Sequence, residues 1–382
     1  MRSLRGMMVA VVGLAGSALA CGSSAERGGM PGSAGGGGAG ASVLAGSAGT
    51  ASASSGAAAG AGDISAIAGG SAGKPSEAGA GGSGTSGDSA GGTAGAAAVG
   101  GASGASGVVS PAKDGKETIS GPYEPPPEAT LQPGTPVALE DSFTYDSSRV
   151  FPGTSRHVVI FIPEQYMTGT PVPFLVVQDG DEQLKAYKTD VVLMNLIHQR
   201  KLPVMAALFV NRADNGPQRS LEYDCLDDDY SRFILDEIIP LAKMRHPDLK
   251  LTDDPNGRGA LGKSSGGPAA FTLAWRHPES FRRITTFNGS FVKLCKDGRG
   301  ANDYPGLVQA NPPLPLRVYL FSGDGDNGGF AAGNQALADA LEAKGYSWRF
   351  VYGLGSTHDN HYAASLITEA LLWTWSGYPL EP

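Results

Sequence analysis

The chain has 382 residues, but from Cys21 to Ser110 glycine fills 29 of 90 positions, only 6 residues are charged, and no Phe, Tyr or Trp occurs. Such a stretch buries too little apolar surface to offset its ordering entropy, so it reads as a disordered tether and excludes a two-domain enzyme filling the whole length. A formal net charge of -8 without any run of Lys and Arg excludes a protein that lives on nucleic-acid phosphates.

In chain order, Arg2 and Arg5 precede an apolar run over 7–19 that is too short for the roughly 20 residues of a bilayer span. With small residues before position 21, residues 1–20 read as a signal peptide and the protein as exported. Ala18-Leu19-Ala20 fits ordinary cleavage, while Cys21 directly after it stands where a lipidated cysteine would. A cell-envelope lipoprotein, joined to a membrane only through Cys21, is expected in preference to free secretion. Residues 21–121 then form a Gly/Ala/Ser-rich linker, whose ~100 residues would reach ~50 to 60 Å at Gly-rich stiffness. Every aromatic side chain lies between Tyr123 and Tyr378, which places one globular domain at 122–382.

Within that domain short apolar runs alternate with amphipathic ones. Strands are expected at 157–163, 174–178, 204–211, 258–262, 284–287, 316–321 and 348–352. Helices are expected at 191–199, 230–244, 266–276, 334–344 and 363–375. The 174–178 run, FLVVQ, is too continuously apolar for a sheet face open to water. The alternation implies an α/β fold with a mostly parallel sheet covered on both faces.

Gly262-Lys263-Ser264-Ser265-Gly266-Gly267 matches G-x-S-x-G at an expected strand-to-helix junction. Glycines allow the tight turn that strains and exposes a nucleophile. The turn also puts Ser264 at a helix start, where the N–H of Ser265 and the helix dipole can stabilise an oxyanion. Lys263, beside the nucleophile, is read as a solvated residue, the alternative being a preference for an acidic substrate. A serine nucleophile needs a base and an acid, which in α/β-hydrolases follow in the order Ser, acid, His. His277 ends the helix that follows the serine and points away from it. The loop after the last strand carries His358 and His361, which spacing alone does not separate; His358 is taken as the base and His361 as substrate-facing. Asp324 and Asp326, after the 316–321 strand, are the candidate acids, one of which would fix the histidine tautomer.

With Cys21 set aside, Cys225 and Cys295 form an even pair, either bridged or present as two buried thiols. No CxxC, HxH or HExxH spacing occurs, so neither a metal nor an organic cofactor is expected.

Over about 157–378 the domain resembles the enterochelin-esterase-like and feruloyl-esterase-like branch of the α/β-hydrolases, relatives of esterase D and the mycolyltransferases. The resemblance is carried by Phe174-Leu-Val-Val-Gln-Asp-Gly-Asp181, Arg219-Ser-Leu-Glu-Tyr-Asp224, Leu251-Thr-Asp-Asp-Pro255, the elbow, Asn288-Gly-Ser-Phe291 and Trp373-Thr-Trp375. It implies Ser264 as nucleophile and Asp326 as acid, three residues after Gly323. It also implies Asp181 as donor of a second oxyanion N–H, and Arg219 and Glu222 as polar residues beside the substrate. The expectation is a serine carboxylic ester hydrolase working through an acyl-enzyme on a small-molecule or carbohydrate-linked ester. The alternatives are an acyltransferase of the same chemistry and a non-catalytic surface binding protein on the same scaffold.

Overall fold

The structure, a computed structural model, describes residues 113–214, 218–295 and 299–381. The signal peptide, Cys21 and most of the linker lie outside the described residues. Nine strands form one sheet: β1 (Gly115–Ser120), β2 (Leu139–Tyr145), β3 (Arg156–Ile162), β4 (Phe174–Gln178), β5 (Ala206–Val210), β6 (Arg258–Lys263), β7 (Arg283–Phe287), β8 (Arg317–Gly325) and β9 (Ser347–Thr357). Their order is β1-β9-β8-β7-β6-β4-β5-β3-β2, parallel throughout except that β3 runs antiparallel to β5 and β2 antiparallel to β3.

Alternate residues of the central strands feed two cores. Phe174 and Val176 of β4 face one with Ala260, Val318 and Leu320, against the helices Gly266–Arg276 and Phe330–Ala343. Leu175 and Val177 face the other with Leu261, Tyr319 and Phe321, against Thr189–His198 and Ile367–Trp375. Burial on both faces is why these strands read as continuous apolar runs.

Departures from the sequence reading have local causes. The sheet starts before residue 122, because β1 pairs with β9 from Gly115↔Arg349 to Ser120↔Leu354, so the boundary of the domain moves into the segment assigned to the linker. The expected helix over 230–244 is three pieces, Asp229–Arg232, a wider π-helical Phe233–Ile238, and Ile239–Arg245. Pro240 has no N–H for the preceding turn, and the break falls there. The closing helix likewise splits into Asn360–Ala364, capped by Asp359, and Ile367–Trp375. Cys225 and Cys295 are joined by a disulfide that closes a separation of 70 residues.

Candidate active site

The loops at the carboxyl ends of β4, β6, β7, β8 and β9 converge, and the tightest turn among them follows β6. Ser264 sits at φ 56°, in the left-handed region that β-substituted residues rarely adopt. A Cβ on Gly262 would lie 2.0 Å from the carbonyl oxygen of Gly266, so only glycine lets the helix Gly266–Arg276 start directly above the strand. The Ser264 N–H donates to Phe287 O of β7 at 3.0 Å, and its carbonyl accepts from Gly267 N at 2.9 Å and Ser290 N at 3.1 Å. Ser265 is the residue preceding that helix, whose opening N–H groups lack intrahelical acceptors.

Asp326 and His358 are bonded to one another. His358 Nδ1 donates to Asp326 Oδ1 at 2.6 Å, while Asp326 Oδ2 accepts from Ser322 Oγ at 2.6 Å and Asn288 Nδ2 at 3.0 Å. Burial pushes the Asp326 carboxyl up, but the bonds from His358, Ser322 and Asn288 more than reverse this and hold its pKa below the usual carboxylate range. Asn288 also links this pair to the elbow, because it directly follows Phe287, whose carbonyl binds the Ser264 N–H. Phe330 lies against the His358 ring with centroids 5.1 Å apart. Among the described residues neither Ser264 Oγ nor His358 Nε2 makes a hydrogen bond, which leaves both atoms uncommitted.

The other expected site residues divide. His361 is exposed, its ring packs on Tyr362, its backbone N–H donates to Asp359 Oδ1 at the helix start, and among the described residues its ring bonds no carboxylate. Asp324 accepts from Gly355 N at 2.7 Å and, among the described residues, forms no hydrogen bond with either histidine. Arg219 stays at the site, gripping Asp179 through Nε and Nη2 and reaching Lys263 O at 3.3 Å. Two expectations are corrected. Glu222 is 2% exposed and forms a two-point ion pair with Arg156 at 2.7 and 3.0 Å, with both side chains fully buried, so it cannot touch a substrate. The Asp181 N–H donates to Asn211 Oδ1 at 2.9 Å and is therefore spent within the protein.

Lys263 is also not a solvated residue: it is 8% exposed, and its ammonium donates to Asn360 Oδ1, whose amide in turn donates to Glu182. Burial lowers the Lys263 pKa against the opposing charges of Glu182 and Asp359. This chain ties together the loop after β4, the elbow and the histidine loop. Sequence reasoning missed Asn288, although the Asn-Gly pair after a strand signals it: Asn288 stands at φ 49°, a conformation asparagine tolerates. Nothing in the sequence marks Asn360 or Ser322, whose partners are distant in the chain.

The family model described as "Putative esterase" matches residues 148–369. Among solved structures, the enterobactin esterase of Shigella flexneri superposes with a TM-score of 0.51 at 25% identity, covering 65% of this chain and 64% of that one. The ferric enterobactin esterase of Salmonella typhimurium gives 0.53 at 23%, covering 64% and 60%. The ferulic acid esterase of the anaerobic fungus Anaeromyces mucronatus gives 0.53 at 15%, covering 66% and 97%. The chain thus spans less than two thirds of the enterobactin esterases and nearly all of the fungal enzyme. No curated protein matches the chain. With more than half of its residues matched by the family model and an α/β sheet shared with these esterases, the chain belongs to the esterase family of the α/β-hydrolase type.

Proposed function

We propose that the domain is a serine carboxylic ester hydrolase. Ser264 Oγ attacks the ester carbonyl while His358 Nε2 takes its proton. The tetrahedral oxygen is held by the Ser265 N–H at the positive end of the helix Gly266–Arg276. The imidazolium then protonates the leaving alcohol, and water, activated by the same nitrogen, releases the acid and regenerates Ser264. Asp326 keeps the proton on Nδ1 and stabilises the imidazolium. The observation that carries this reading is the Asp326–His358 pair on the same rim of the sheet as a serine strained at φ 56° on a strand-to-helix turn.

The names of the related structures, an enterobactin esterase and a ferulic acid esterase, support a small-molecule or carbohydrate-linked ester as substrate. The disulfide supports an exported protein, because such bridges persist in oxidising compartments, and Cys21 is the proposed lipid attachment point.

A second hydroxyl-imidazole-carboxylate array makes the test sharper. Ser142 Oγ lies 2.6 Å from His157 Nε2, and His157 Nδ1 lies 2.5 Å from Asp181. Ser142 sits mid-strand in β2, not on a strained turn at a helix start, so it lacks the elbow's means of stabilising an oxyanion. The full chain is expected to hydrolyse p-nitrophenyl acetate and to be labelled by a fluorophosphonate, with both lost in Ser264→Ala. Turnover or labelling that survives at Ser142 would move the nucleophile; a folded wild type showing neither would favour a binding protein.

A further inference from the structure

Behind the elbow lies a buried carboxylate that the proposed chemistry leaves without a role. Asp224 is 1% exposed. Its Oδ2 accepts hydrogen bonds from Ser220 Oγ at 2.8 Å and Ser265 Oγ at 3.0 Å, and its Oδ1 from Ser290 Oγ at 3.1 Å. Arg219 acts on it electrostatically but is paired with Asp179. Burial pushes the Asp224 carboxyl above its ordinary range, and the three hydroxyls and Arg219 pull it only part of the way back. A charge held by neutral donors in such a place is costly, and simple packing would be served better by an uncharged residue.

Two of the three donors flank the reacting serine. Ser265 follows it and carries the oxyanion N–H; Ser290 donates its own N–H to the Ser264 carbonyl at 3.1 Å. Ser290 is fixed in turn by Asn302, whose Nδ2 donates to its carbonyl at 3.0 Å. Cys225, adjacent to Asp224, is bonded to Cys295 in the loop that follows Ser290, so the carboxylate and the serine it binds are held by one covalent staple.

We propose that Asp224 is a positioning residue for the oxyanion hole, gripping the hydroxyls of Ser265 and Ser290 so that the Ser264–Ser265 peptide is fixed with its N–H aimed at the tetrahedral oxygen. The proposal rests on the serine hydrolase reading. A donor fixed before the reaction stabilises the transition state more than the bound ester, so loosening it lowers kcat and leaves KM unchanged.

The experiment compares wild type, S264A, D224N, S265A, S290A and the double variant D224N/S265A in the full chain. It reads kcat and KM on p-nitrophenyl acetate, the inhibition constant of phenylboronic acid, and the melting temperature. Turnover absent from wild type, or surviving in S264A, sinks the hydrolase reading itself. With that reading intact, D224N is expected to keep the wild-type melting temperature or exceed it, since it removes a buried charge. It should lower kcat roughly 10- to 100-fold, a fraction of the loss from deleting a whole oxyanion donor. KM should stay unchanged, and phenylboronic acid, which forms a tetrahedral adduct on the serine, should weaken by the same factor. S265A should lose kcat in the same direction, and the double variant should lose no more than the worse single one. A folded D224N with wild-type kcat and boronic-acid affinity, or with a change confined to KM, would overturn the proposal. Should D224N fail to fold, S265A and S290A decide: wild-type kcat in both would overturn it, and a kcat loss at constant KM in either would sustain it.

Discussion

One carboxylate at the centre of the site accepts from three side chains, and its ionisation links catalysis to acid stability. Asp326 is held below the ordinary carboxylate range, and the unfolded chain returns it to about 3.9. Its folded-state pKa is the lower of the two, so its contribution to stability is fully present above about pH 4 and lost as pH falls through the folded value. The stability difference between wild type and Asp326→Asn, followed by thermal melts across that window, should therefore shrink on acidification. At neutral pH Asp326→Asn should also lower kcat by about 10⁴, because the amide favours the wrong imidazole tautomer, whereas His361→Ala should leave kcat within a few-fold of wild type. Glu222 belongs to stability instead. Its pairing with Arg156 is out of solvent, so Glu222→Ala should cost about 3 to 5 kcal/mol in chemical denaturation by stranding the guanidinium. The family resemblance implied that Glu222 stands beside the active site but carried no information on burial. The buried partner, Arg156, opens a strand whose apolar residues gave no hint of it.

At the scale of elements, the strands buried on both faces were the legible ones: FLVVQ over Phe174–Gln178 is found where its composition puts it. The helix Gly266–Arg276 was equally plain, being set by the glycines of the elbow. β2 was not, because LEDSFTY carries two acids and is half-exposed at an edge, and the short helix Tyr304–Ala310 offers too few turns for a periodicity. Spacing alone narrowed the acid and base to two loops, and the family resemblance singled out Asp326 within one of them. Choosing between His358 and His361 rests on the hydrogen bond that His358 Nδ1 donates to Asp326, a partner 32 residues away. The Cys225–Cys295 bridge joins the segment after Gln218–Tyr223 to the loop after β7. Closing a separation of 70 residues is worth about 4 kcal/mol in the chain-entropy picture. Reduction, or Cys225→Ser with Cys295→Ser, should lower unfolding free energy by about that amount, read by urea denaturation; a change below about 1 kcal/mol would show that the unfolded chain is already constrained there.

For the whole molecule, the segment before the matched family span is part of the working fold. Residues 113–135 add β1 to the sheet, and Tyr123 donates to Leu354 O at 2.8 Å and packs edge-on against Tyr362, on both sides of the histidine loop. Asn195 fastens the same segment by donating to Glu128 O and Thr130 O, each at 2.8 Å. A chain cut to begin at residue 136 should melt lower than one beginning at 113 and turn over p-nitrophenyl acetate more slowly, since the support of His358 goes with it; equal melting and equal rates would show the segment to be ornamental. Composition hid this contribution, because GKETIS is polar and looks like the linker that precedes it.

The direction of β1 also decides at which rim of the sheet the described chain enters. β1 runs parallel to β9, so Gly115 lies beside Arg349 at the start of that strand, while Ser264, Asp326 and His358 all follow strand ends at the opposite rim. The described chain therefore enters the sheet at the rim opposite these three residues.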